Sequence, residues 1–170
     1  LRIDKILNFD IYIYVGRELV LYRSQALPFT TENLERLREN NVHEIYIAHE
    51  SRAAYQRYIE ENLSEILTDP KIEEVKKAEI LYDTSKALIK DVLANPTYSE
   101  NIKRSQDLVE NTIDYILKGR EAFLSLMKIS SFNYYTYTHS VNVATFSLAL
   151  ARQLGISDRE ELTILGTGAL

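Results

Sequence analysis

The sequence predicts an α+β fold, with a small ββαβα module at the N-terminus followed by an all-α segment. Two observations carry this. Apolar residues alternate with period two in the first third of the chain, whereas the remainder steps by three and four. Only 5 Gly and 3 Pro interrupt 170 residues, which favours long helices.

Ile11, Ile13 and Val15 alternate with Tyr12 and Tyr14, the pattern of a half-buried strand. Gly16-Arg17 makes a short connection to a second strand through Leu19, Val20, Leu21 and Tyr22, so a hairpin is expected. Thr30 or Thr31 caps a helix that carries Leu34 and Leu37 on one face, and Asn40-Asn41 ends it. A third strand is expected at 43–48, with Ile45 and Ile47 on one face. Ser51 then opens a helix that places Tyr55, Tyr58, Ile59, Leu63, Ile66 and Leu67 at helical spacing. The module closes near Thr68.

Asp69-Pro70 reads as a helix start, with a carboxylate cap and Pro at the first helical position. Ala78, Leu81, Ser85, Leu88 and Val92 form a heptad-like seam suited to a partner helix. Asn95-Pro96 breaks this helix, and Thr97-x-x-Glu100 is a capping box for the next. Its face is Ile102, Val109, Ile113 and Ile116, and Gly119 is expected to close it in the left-handed conformation. A short helix carries Phe123, Leu124 and Met127. A long helix is expected over about 132–154, stopped by Gly155. Ser157-x-x-Glu160 is a second capping box and opens a last helix with Leu162, Ile164 and Leu165. The expected divisions are 1–68, 69–128 and 129–170.

Composition bounds the function. Net charge is -5, which argues against a general nucleic-acid binder, since that needs a basic face to displace counterions. No cysteine is present; this excludes disulfide scaffolds, thiolate metal sites and cysteine nucleophiles, and fits a cytoplasmic location. No apolar run is long enough to span a bilayer. Leu1 is followed by the charged residues Arg2, Asp4 and Lys5, unlike a signal peptide. The chain does not begin with Met, and 165–170 is an apolar stretch. Both ends therefore read as cut, and a piece of a longer protein is expected.

The histidines are His43, His49 and His139. His43 and His49 flank the third expected strand, roughly 20 Å apart at strand rise, so they do not share one ion and read as surface residues. His139 lies on a helix whose inner face is apolar, where a satisfied core histidine and a metal ligand are both open. A helical metal site usually adds a second ligand three or four residues on; here those positions are Asn142 and Val143, and Tyr135 stands four residues before. Any metal held by His139 must take its other ligands from another segment. Gly166-Thr167-Gly168 lacks the residues of a phosphate loop and reads as a small-residue face that admits a neighbouring helix. The 12 tyrosines include Tyr12, Tyr14, Tyr22 and Tyr46 near the expected sheet, read first as strand packing and second as an aromatic binding face. The pairs Glu60-Glu61 and Glu73-Glu74 read as solvated helix faces, because sequence neighbours point apart on a helix.

Three segments in order resemble the opening of an HD-GYP domain. They are Thr138-His139-Ser140-Val141-Asn142-Val143-Ala144, Leu150-Ala151-Arg152-Gln153-Leu154-Gly155-Ile156-Ser157 and Leu165-Gly166-Thr167-Gly168-Ala169-Leu170. The upstream Asp10-Ile11-Tyr12 and Glu44-Ile45-Tyr46-Ile47 resemble the regulatory segment found ahead of such domains. The resemblance implies a regulatory, sensor-like module at 1–68, a helical connector at 69–128 and the truncated start of an HD-type helical domain at 129–170. It implies a parent enzyme that hydrolyses cyclic di-GMP at a multi-metal site of Fe or Mn, where bridged metals activate hydroxide. His139 would be its first histidine ligand. The family's next segment supplies the His-Asp pair and lies beyond Leu170, so these residues alone are expected to bind no metal and to be catalytically silent. A homodimer through helices is a further expectation. The competing readings are a sensor or dimerisation module, and a degenerate HDOD-type domain without catalysis.

Overall fold

The computed structural model describes residues 5–95, 97–130 and 136–170. The chain divides into two compact units, the first ending at Glu61 and the second beginning at Asn62. The fold class is the expected α+β, with short strands first and helices after.

In the first unit, β1 (Lys5–Ile6) pairs antiparallel with β4 (Pro28–Phe29), and β2 (Ile11–Val15) pairs antiparallel with β3 (Glu18–Arg23). The hairpin turns at Gly16, whose φ of 65° is a conformation that glycine adopts without a side-chain clash. Thr30 rather than Thr31 caps α1 (Thr31–Glu39), through a reciprocal capping box with Asn33. The strand expected at 43–48 does not form: only Tyr46 bridges to Tyr12, with paired backbone bonds of 2.9 and 2.8 Å. Ile45 and Ile47 nevertheless pack on the core. Their alternation reports burial, which a single bridge is enough to orient.

The helix expected from Ser51 through Leu67 is interrupted. A 3-10 turn (His49–Ser51) leads into α2 (Arg52–Glu61), and α3 (Leu63–Thr68) follows after buried Asn62. Leu63 and Leu67 pack with the helices of the second unit, so the division at Glu61 and Asn62 precedes the one expected at Thr68. Leu7, Phe9, Ile11, Phe29, Leu37 and Tyr58 make the first core. Phe9 meets Tyr58 edge-on at 5.5 Å, a favoured aromatic geometry.

The second unit continues with α4 (Glu74–Ala94), α5 (Ser99–Lys118), α6 (Arg120–Ser130), α7 (Thr136–Gln153) and α8 (Arg159–Ala169). α4 packs against α5, α6 and α7, while α8 packs against α5 and α7. The seam of Ala78, Leu81, Ser85 and Leu88 is buried in this core, with Val92 packed at its margin. Its partner helices belong to the same unit, so the seam is not available to a second copy. Ser85 is accommodated by donating its hydroxyl to Leu81 O at 2.7 Å.

Several helix boundaries differ from expectation for local reasons. Asp69 accepts from Lys71 N at 2.9 Å, forming a turn, and α4 starts only at Glu74. The Thr97 box is not used: α5 starts after Tyr98 with no side-chain cap. Instead the Asn101 amide donates to Asp91 O and Asn95 O, closing the α4–α5 connection. Gly119 is extended at φ 170°, not left-handed. Asp158, not Ser157, caps α8 by accepting from Glu161 N at 2.9 Å. Gly155 does end α7 in the left-handed region at φ 83°, with Ile156 N donating back to Ala151 O. Ile102, Leu124 and Ile164 are exposed, whereas Val109, Ile113 and Ile116 of the expected α5 face are buried. Pro96 and the start expected for the long helix at 132, including Tyr135, lie outside the described residues. Among the described residues, no helix is long and apolar enough to cross a membrane.

Candidate functional site

The HD-GYP resemblance directs attention to α7, on which His139 is exposed. Thr138 and Val141 beside it are buried, so the helix turns its small and apolar residues inward and His139 outward. From α4, Tyr82 crosses to this turn and donates its hydroxyl to Asn142 Oδ1 at 3.0 Å. Burial pushes the Tyr82 phenol above its ordinary pKa, against the opposing effects of Lys86, Asn142 and Thr138. Lys86 Nζ lies 5.1 Å from the centre of the Tyr82 ring and pairs with Asp83 at 2.7 Å. Beyond His139, α7 presents Val143, Phe146 and Leu150 to solvent.

An exposed imidazole suits one metal ligand. Among the described residues, no group of three His, Cys, Asp or Glu side chains is placed to hold a metal ion. His43 and His49 are exposed in the first unit, His49 within the 3-10 turn rather than at a strand end.

A second polar cluster escaped the sequence pattern. Glu74, expected on a solvated face, accepts from Lys77 Nζ at 2.7 Å and Lys118 Nζ at 2.8 Å through one oxygen. Lys77 is only 2% exposed. Lys118 also donates to Leu67 O at 3.2 Å, and the Tyr115 hydroxyl donates to Glu74 O at 2.8 Å. Burial raises the Glu74 carboxyl, but the bonds from Lys118, Lys77 and Tyr115 outweigh it and hold the carboxyl below its usual range. Burial and the neighbouring Glu74 push the Tyr115 phenol well up. Glu74 and Lys77 at i and i+3 were a visible signal; Lys118 and Tyr115, from α5, were not. The cluster ties α3, α4 and α5 together and holds its charges paired, a structural role.

The glycine pair divides in two. Gly166 is buried where a β-carbon would meet Val109 and Leu148, as expected of a close helix approach, whereas Gly168 has open space. The tyrosines divide likewise. Tyr22, Tyr58, Tyr82 and Tyr115 pack in cores, while Tyr14 and Tyr46 stack edge-on at 5.0 Å on an exposed face of the hairpin.

No family model matches the chain. A curated relative, the cyclic di-GMP phosphodiesterase PA4108 of Pseudomonas aeruginosa, is 33% identical over 88 residues. That match covers 51% of this chain and 21% of the relative. Among solved structures, Bd1817, an HDG"Y"P protein from Bdellovibrio bacteriovorus, is similar with a TM-score of 0.63 and 26% identity. The similarity covers 100% of this chain and 56% of that one. The chain thus spans about a fifth of the curated relative's length and little over half of the structural one.

Proposed function

We propose that this chain, HD-GYP-like in sequence and in fold, is the front portion of a cytoplasmic phosphodiesterase that hydrolyses cyclic di-GMP. The observation that carries the proposal is His139, an exposed imidazole on a helix whose inner face, through Val141, Leu148 and Ala151, is packed into the core. It stands at the position where the sequence resemblance expects the first histidine ligand. In the complete site, Fe or Mn would supply an activated hydroxide and neutralise the phosphodiester. His139 would hold one metal, and the remaining ligands come from outside the residues described here. The 1–68 segment is regulatory in this scheme, and the 170 residues alone are catalytically silent.

The test is to assay both the 170-residue chain and the full product of its gene for release of linear dinucleotide from cyclic di-GMP with Mn²⁺ present. The proposal expects turnover from the full product and none from the 170 residues. Turnover by the 170-residue chain would overturn the assignment of silence, and an inactive full product that binds no metal would overturn the enzyme.

A further inference from the structure

His139 is exposed, yet the turn that carries it is gripped from the inside. Tyr82 is 1% exposed and reaches from α4 to α7 across 60 residues of sequence. Its hydroxyl donates to the Asn142 side chain at 3.0 Å, and Thr138 acts beside Asn142 to offset the effect of burial on the phenol. Thr138 precedes His139 and Asn142 follows it by three, so the two are one helical turn apart on the inner side. The hydroxyl therefore bonds to the inner side of the turn on which His139 sits. Thr138 is itself buried at 5% exposure, and Lys86 over the ring adds a cation–π attraction.

We propose that Tyr82 is a positioning residue for His139: its hydroxyl, bonded to Asn142, fixes the turn of α7 so that the imidazole is presented outward in one orientation. This rests on the assignment of His139 as a metal ligand. Partners that orient a metal ligand govern affinity without touching the metal, and their loss typically costs about 10- to 100-fold in metal binding. Tyr82 holds the backbone turn rather than the ring itself, so its effect falls at the lower end of that range. The hydroxyl also has a local energetic effect, because a buried hydrogen bond is lost without any change in packing when Tyr becomes Phe.

The test uses Tyr82→Phe and His139→Ala in the full gene product. Two quantities are measured: amide hydrogen exchange of segments 138–143 and 109–116, and Mn²⁺ affinity by equilibrium dialysis. Tyr82→Phe is expected to speed exchange over 138–143 by roughly tenfold, to leave 109–116 unchanged, and to weaken Mn²⁺ binding by roughly tenfold. Asn142→Ala, which removes the acceptor from the other side, is expected to do the same. Equal acceleration in both segments would reduce Tyr82 to a general packing residue and overturn the proposal. So would unchanged Mn²⁺ affinity in Tyr82→Phe alongside its loss in His139→Ala, an outcome that leaves His139 a ligand. Full Mn²⁺ affinity in His139→Ala would instead remove the ligand assignment on which the proposal stands.

Discussion

A β-carbon on Gly166 of α8 would lie 2.6 Å from Cγ1 of Val109 on α5. The two helices meet through bare glycine backbone, with Leu148 of α7 closing the third side at 3.3 Å. Gly166→Ala must displace a β-branched side chain that has no free end to swing away. Overpacking of this kind costs about 1–3 kcal/mol, read as a lower denaturant midpoint. Val109→Ala in the same chain makes room, and the double variant is expected to be more stable than the two separate losses would give.

The Glu74 cluster sets a second expectation. Glu74→Ala leaves Lys77 buried at 2% exposure without its counter-charge, a loss of about 3–5 kcal/mol by chemical denaturation. Replacing both residues together, Glu74→Leu with Lys77→Met, removes the uncompensated charge and is expected to cost much less.

The same carboxyl fixes a pH dependence. Burial raises its pKa, but Lys118, Lys77 and Tyr115 lower it further, so the folded value lies below the unfolded one. Its contribution to stability is therefore fully present above about pH 4.3, the ordinary glutamate value, and is lost as pH falls through the lower folded value. Urea midpoints followed downward from neutral pH should fall more steeply for the parent chain than for Glu74→Gln.

Leu88 tests the place of the heptad-like seam. It is buried against the other helices of its own unit, so Leu88→Ala is expected to lower stability by about 2–5 kcal/mol. Solution mass, measured by light scattering, should not change. A loss of mass with little loss of stability would return the seam to an interface between copies.

The capping box of α1 gives a smaller, local effect. Thr30 accepts from Asn33 N, and Asn33 accepts from Thr30 N at 3.0 Å. Thr30→Ala is expected to cost about 1 kcal/mol, with faster amide exchange confined to the first turn of α1.

Residues whose role is set by near neighbours were legible in the sequence. The Ile11–Val15 strand, the Gly16 turn, the Thr30 cap and the Gly155 stop all work within a few residues, and the structure has each of them, although Val15 is exposed rather than sharing the buried face of Ile11. Motifs of the same kind failed where another group took over. The Thr97 box yields to Asn101, whose amide closes the loop onto Asp91 and Asn95. The strand at 43–48 shrinks to one bridge because apolar alternation marks a buried face and not a ladder. At the candidate site, His139 stood out as a histidine on an apolar helix. Tyr82 did not, because its link to Asn142 spans 60 residues and nothing local distinguishes it from a core aromatic. The heptad spacing of α4 was visible, but spacing cannot say whether the partner helix lies in the same chain.

The most direct test of the account is the metal content of the full gene product, purified with and without His139→Ala and analysed by inductively coupled plasma mass spectrometry. The account predicts Fe or Mn in the parent protein, and loss of that metal together with cyclic di-GMP hydrolysis in the variant. Equal metal content and equal activity in the two proteins would contradict it, and His139 would then be an exposed histidine with no part in the site.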